Sequence, residues 1–286
     1  MEITLRRGVP GDARGGAGSI CYHAFRTISQ AHNFPPDFPS VEVATELLEH
    51  ALSHPRLYCV VAVQGDRIVG SNVLDERNCI SGIGPITVDP AVQNRSVGRR
   101  LMENVLGRAA EQRAPGVRLV QAAFHNRSLA LYTSLGFQVR EPLACLSGAA
   151  LGLAMPGRTV RAARETDLEA CARICHAMHG HDRDGELRDA IREGLATVVE
   201  HAGRITGYAS TIGFFGHAVA ASNADLQALI GAAREFAGPG FLLPTRNSEL
   251  FRWCLEHGLR VKQPLTLMSI GLYNEPAGAF LPSISY

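Results

Sequence analysis

Three short passages of this chain occur twice, in the same order. "TLRRGVPGDA" (Thr4–Ala13) returns as "TVRAARETDL" (Thr159–Leu168), "GDRIVGSNVL" (Gly65–Leu74) as "AGRITGYAST" (Ala202–Thr211), and "LGFQVREPL" (Leu135–Leu143) as "HGLRVKQPL" (His257–Leu265). In the first pair, Asp12 and Asp167 each stand where the cap of a following helix is expected. Ordered echoes of this kind indicate an internal duplication, so the chain must fold as two units of one plan. The join falls in "GAALGLAMPGR" (Gly148–Arg158), small and rich in glycine. Residues 1–150 and 158–286 are therefore expected to form two α/β domains, each of ordinary size.

The first half is expected to run strand 3–7, helix 12–31, helix 41–53, then strands 57–64, 67–75 and 82–88. A helix at 96–113, a strand at 117–123, a helix at 127–134 and a strand at 137–145 complete it. "LYCVVAV" and "RLVQAAF" are β-rich apolar runs. Val97, Leu101, Val105 and Ala109 share one face of the long helix. The adjacent strands imply a mixed, partly antiparallel sheet flanked by helices.

Apolar residues make up 46% of the 286, enough for two cores, and the net charge is +1. A near-neutral balance without runs of basic residues argues against a nucleic-acid partner. No window is long and apolar enough for a membrane span, and no signal core opens the chain, so a cytoplasmic protein is expected. The seven cysteines form no CxxC pair. Cys171 and Cys175, followed by His176, His179 and His181, lack a second ligand pair; reduced, buried thiols are expected there, and no metal.

"VDPAVQNRSVGRRLM" (Val88–Met102) places a strand end, a polar loop and a helix start in succession. Pro90 ends the strand because it cannot donate to a ladder. The first amides of the helix have no internal partner and carry the positive end of its dipole, which suits an anion. Gly98 bares the backbone, and Arg99 and Arg100 add positive charge.

This stretch, followed by "FHNRSLALYTSLGF", resembles the Gcn5-related N-acetyltransferase (GNAT) family. One family signature, Gln-x-x-Gly-x-Gly, stands here as Gln93, Asn94, Arg95, Ser96, Val97 and Gly98, with Ser96 in place of the first glycine. A second stands as Asn126, Tyr132, Gly136 and Phe137. The resemblance covers residues 3–145 and implies acetyl-CoA as co-substrate. It further implies that the backbone of Ile86, Thr87 and Val88 pairs with the pantetheine arm. Amides of Gln93 to Arg99, with Arg100 nearby, would take the pyrophosphate, and Asn126 would contact the cofactor arm. Tyr132 would protonate the departing thiolate, a task for a phenol near the sulfur. Asp75, Glu76 and His125 are candidate bases for the attacking amine, and Glu76 is carried forward as the catalytic partner. The loop "RTISQAHNFPPDFPSVE" (26–42), with His32, Phe34 and Phe38, is expected to line the acceptor pocket.

The second half lacks the loop signature, and Cys254 stands at the tyrosine spacing before Gly258. It is expected to be a degenerate GNAT-like domain without its own cofactor, with Asn223 capping a helix that begins at Ala224. The ending, "GLYNEPAGAFLPSISY", is expected to be an extended tail anchored by Tyr273, Phe280 and Tyr286 that reaches the first domain's cleft. The expected activity is acetyl transfer from acetyl-CoA to a primary amine of a small molecule or peptide, by a monomer or homodimer. The alternative is a non-catalytic acyl-CoA sensor or scaffold.

Overall fold

The repeated passages fold alike. The structure is a computed structural model and describes residues 2–285. Arg6 reaches Asp12 at 2.7 Å, and Asp12 accepts the Val9 N–H at 2.8 Å. In the second half Arg161 reaches Asp167 at 2.7 Å, and Asp167 accepts the Arg164 N–H at 2.8 Å. Each carboxylate thus ties a strand to the turn that starts the next helix, capping that turn from three residues downstream.

The first half runs β1 (Ile3–Arg7), α1 (Gly18–Ala31), α2 (Val41–Ser53), β2 (Leu57–Gln64), β3 (Arg67–Asp75), β4 (Ser81–Ile83), β5 (Thr87–Val88), α3 (Val97–Glu111), β6 (Gly116–Ala122), α4 (Asn126–Ser134) and β7 (Gln138–Ser147). The second runs β8 (Arg158–Ala162), α5 (Leu168–His179), α6 (Asp184–Arg192), β9 (Thr197–His201), β10 (Arg204–Ala209), β11 (Ala218–Ala220), α7 (Asn223–Ala232), β12 (Phe241–Pro244), α8 (Ser248–Glu256), β13 (Arg260–Gly271) and β14 (Ala279–Leu281). The expected strand 82–88 is two pieces, because Gly84 and Pro85 interrupt it between β4 and β5.

The halves do not keep separate sheets. Among the described residues one sheet has the order β1-β2-β3-β4-β6-β13-β7-β12, with β5 on β3, and the other has β14-β11-β10-β9-β8. The late strand of the second half, β13, lies between β6 and β7 of the first. Strand β7 in turn pairs with β12 of the second half. The order β6-β13-β7-β12 is therefore a reciprocal exchange: each half lends its last repeated strand to the other. Core packing follows, with Met268 of β13 buried among Leu101, Val105 and Tyr132, and Leu146 of β7 buried among Leu226, Leu243 and Leu250.

Polar contacts reinforce this union. Arg77 bridges Asp75 at 2.7 Å and Asp189 of α6 at 3.3 Å. Arg246 reaches Glu141 at 2.9 Å, and the Gly185 N–H donates to Asn78 at 3.0 Å. Cys171 and Cys175 are buried on α5 beside Leu168, Leu187 and Val198. Burial pushes their thiols up to about 12 and about 11, so they remain protonated at neutral pH. No helix among the described residues is long and apolar enough to cross a membrane.

Candidate active site

The site lies where β4 and β6 part. They pair in parallel from Ser81–Val117 to Ile83–Leu119, and no pairing continues beyond. Past the break at Gly84–Pro85, β5 pairs with β3 alone, through Gly70–Val88 and Ser71–Thr87. Thr87 and Val88 therefore offer a strand edge to the opening, with Ile86 beside them. Gly70 permits this placement, since a Cβ there would come within 2.8 Å of the Thr87 carbonyl. An open strand edge is a ready template for an extended polar ligand.

The loop after β5 is built to present amides. Asp89 accepts the Ala91 N–H at 2.8 Å and fixes a helical turn at Pro90–Val92. Asn94 and Ser96 then adopt left-handed φ values of 67° and 59°. Interspersed left-handed residues turn successive N–H groups to one side and form an anion-binding concavity. The first helical bond of α3 runs from Arg100 N–H to the Ser96 carbonyl at 3.1 Å, so the amides of Val97, Gly98 and Arg99 lie outside the ladder. A Cβ at Gly98 would make only ordinary contacts, 3.6 Å to Leu131 and 3.8 Å to Val88, so packing does not demand glycine there. Ser96 is the departure from the family signature, and its hydroxyl makes no cap bond to the helix. These features fit a pyrophosphate.

The charges around the loop differ from expectation. Arg100 donates to the Ile3 carbonyl at 2.7 Å and so ties α3 to β1, which removes it from the phosphate set. Arg99 donates to Ser134 at 2.6 Å at the far end of α4. Arg95 is exposed on the loop. Arg127, next to Asn126, reaches back to Gln93 at 3.3 Å and also bonds Asn94. Arg127 was not among the residues expected at this loop; its position directly after Asn126 was the available signal.

Tyr132 sits under this loop on α4. It is 6% exposed and packs edge-on against Phe137. Burial pushes its phenol up to about 12, so it carries its proton at neutral pH. Ser128 Oγ lies 2.7 Å from His125 Nδ1. Burial, Arg127 and His32 hold His125 below the usual histidine range.

Glu76 is not brought to this place. Its carboxylate takes Arg108 at 2.6 Å, and Arg108 lies eleven residues along α3 from Val97, about 16 Å at 1.5 Å per residue. Glu76 follows the end of β3, which places its carboxylate at the far end of α3 from the amide loop. Asp75 is likewise engaged by Arg77.

The loop between α1 and α2 closes over the other side. Phe34 stacks on Phe124 with ring centroids 4.3 Å apart, and His32 lies 5.3 Å from the same ring. Phe38 is buried against Phe25 instead of lining a pocket. Asp37 accepts from Gln263 at 2.8 Å, which latches this loop to the exchanged strand β13.

Residues 24–137 match the sequence profile of the acetyltransferase (GNAT) family. The match is to a GNAT acetyltransferase domain and is confined to the first half. No curated protein matches by sequence. Among solved structures, a protein of Pyrococcus horikoshii described provisionally as an acetyltransferase is similar over 94% of this chain and 89% of its own, with 19% identity and a TM-score of 0.72. A GCN5-related N-acetyltransferase of Sphaerobacter thermophilus is similar over 99% and 98%, with 17% identity and a TM-score of 0.62. A tandem GNAT protein from the clavulanic acid biosynthesis pathway is similar over 94% and 98%, with 12% identity and a TM-score of 0.56. These likenesses concern the fold, and they span both halves.

The second half repeats the GNAT plan but fills its own cleft. Ala221 N–H donates to the Thr206 carbonyl at 2.8 Å, as Asp89 N–H does to Val69 at 2.9 Å. These paired positions align β11 with Ile86–Val88. The tail strand β14 pairs with that same edge, through Ala218–Leu281, Val219–Phe280 and Ala220–Ala279. The tail thus enters the cleft of the second half and not that of the first. Tyr273 and Phe280 belong to it, and Tyr286 lies outside the described residues. Where residues 89–96 form the amide loop, the second half has only Ala221 and Ser222. Ser222, not Asn223, caps α7, and the buried Asp225 occupies the helix start, bonded to Ser222, Thr206 and Arg158.

Proposed function

We propose that the chain is an acetyl-CoA-dependent N-acetyltransferase with one working site, in the first half, that acts on a primary amine of a small molecule or peptide. The observation that carries this reading is the alignment of the free β5 edge, the left-handed amide loop and the buried, protonated Tyr132 around one opening. The pantetheine arm pairs with the backbone of Ile86–Val88. The pyrophosphate takes the amides of residues 93–99, with Arg99 and Arg127 as flanking charge. Asn126, exposed at the start of α4, contacts the arm.

Chemistry at the site follows from what Tyr132 can do. A neutral amine attacks the thioester carbonyl, the C–S bond breaks, and the sulfur leaves as a thiolate. The Tyr132 hydroxyl, which burial keeps protonated, donates a hydrogen bond to the sulfur as negative charge develops on it while the C–S bond breaks, and the thiolate takes its proton from this hydroxyl or from solvent. The amine nitrogen releases its proton to solvent. Asp37 and Gln263 hold the acceptor loop, so both halves shape the acceptor side.

Replacing Tyr132 with Phe separates an enzyme from a non-catalytic acyl-CoA sensor. Acetyl transfer to amines, followed by CoA release, is expected to fall by about 10²-fold or more. Acetyl-CoA affinity should stay within about twofold. Undiminished turnover in the Phe variant overturns the assigned role.

A further inference from the structure

Gln121 is a buried side chain with nothing polar to hold it. It is 6% exposed, and among the described residues neither its amide nitrogen nor its amide oxygen has a hydrogen-bond partner. Buried amides are almost always paired, so an exception calls for a reason. Packing does not ask for an amide here, since an apolar side chain of the same length would leave no donor or acceptor unmatched.

The place of Gln121 in the fold supplies the reason. The parallel pairing of β4 with β6 ends at Ile83–Leu119. Gln121 is two residues past that last pair, on the β6 side of the gap that opens toward β5. Side chains alternate along a strand, so Gln121 shares the face of Val117 and Leu119. Those two belong to one core cluster with Leu101 of α3, Tyr132 of α4 and Met268 of β13. On the exchanged strand, Met268 pairs with Leu119 and Thr266 with Gln121, which continues the same face. Gln121 thus stands at the inner end of the opening, on the side of the sheet that carries Tyr132. No hydrogen bond restrains its carboxamide, and rotation about its side-chain bonds turns it toward the gap.

What it meets there rests on the reading of the opening as the acetyl-CoA site. With the pyrophosphate on the amides of residues 93–99 and the arm along Val88 to Ile86, the arm runs inward. Its sulfur end then arrives where β4 and β6 part. The polar group nearest the sulfur is a secondary amide. A trans amide turns its N–H and its C=O to opposite sides. An amide that gives one of these to the β5 edge therefore turns the other toward β6. A carboxamide answers either group, since it holds both N–H donors and a carbonyl acceptor. We infer that the Gln121 side chain binds the inner amide of the pantetheine arm, taking the group that the β5 backbone leaves unmatched. Gln121 lies outside the family signatures quoted above.

The test is calorimetry on the full chain with acetyl-CoA, CoA and adenosine 3′-phosphate 5′-diphosphate, which has the nucleotide and pyrophosphate of CoA and no arm. Gln121→Met keeps the length of the side chain and removes the amide. It should weaken acetyl-CoA and CoA alike by about fivefold to tenfold, the size of one hydrogen bond. The armless nucleotide should stay within twofold. Without ligand, the melting temperature of this variant should equal or exceed the parent's, because an unmatched buried amide is gone. In the unaltered chain, the side-chain NH2 signals of Gln121 in NMR spectra should move on adding CoA and stay on adding the armless nucleotide. Equal weakening of all three ligands, or a lower melting temperature with NH2 signals that ignore CoA, gives Gln121 a structural role and overturns the inference. Weakening of acetyl-CoA alone moves the contact to the acyl group and overturns it too. Unchanged affinities for acetyl-CoA and CoA overturn it and leave the reading of the site intact. Absence of acetyl-CoA binding by the parent overturns that reading and the inference with it.

Discussion

Cys254 occupies in the second half the helical position that Tyr132 occupies in the first. Each carbonyl accepts the N–H five residues on at 3.0 Å, from Phe137 and from Leu259. Each is followed after four residues by a left-handed glycine, Gly136 at φ 97° and Gly258 at φ 86°. Gly136 and Gly258 end the helices in the way that favours glycine. The backbone plan recurs while the side chain at this position differs. Cys254 is fully buried, and burial pushes its thiol up to about 12.

Arg127 orders the amide loop through Gln93 and Asn94. Arg127→Ala should weaken acetyl-CoA binding about tenfold, the size of a lost charged hydrogen bond. The loss should shrink at high salt, because part of it is charge. Calorimetry at two ionic strengths checks both points.

Ser96 holds φ 59° without the freedom of glycine. A left-handed residue with a side chain costs about 1 kcal/mol. Ser96→Gly regains part of this, less what the freer unfolded chain takes back. Thermal unfolding should show a rise of about 1–2 °C. Cofactor affinity should be retained, since backbone amides do the binding.

Asp12 and Asp167 are held below the ordinary aspartate value of 3.8, first by hydrogen bonds from Arg6 and Arg161. A folded value below the unfolded one adds stability that is present above pH 3.8 and lost as pH falls through the folded value. Arg6→Ala and Arg161→Ala should therefore destabilise near pH 7 and converge with the parent near pH 2. Denaturant unfolding across that range tests the sign.

The echoes in the sequence revealed two units of one plan, because capping carboxylates and turn glycines are local and survive duplication. Strand exchange was not legible. Periodicity places β13 on a sheet but carries no sign of which sheet, and β6 and β12 differ too little to name their partners. The loop of free amides before α3 could be read because its geometry depends on a local backbone. Arg100 and Glu76 could not, because their partners Ile3 and Arg108 lie far along the chain. The tail likewise gave no hint that Ala279–Leu281 would complete a sheet edge.

The central claim is one working cofactor site per chain, in the first half, with the second closed by its own tail. Isothermal titration of the full chain with acetyl-CoA tests it most directly. The account predicts a stoichiometry of one, abolished when the loop at 93–98 is disrupted by Gly98→Asp. A stoichiometry of two, or binding that survives that substitution unchanged, would contradict it.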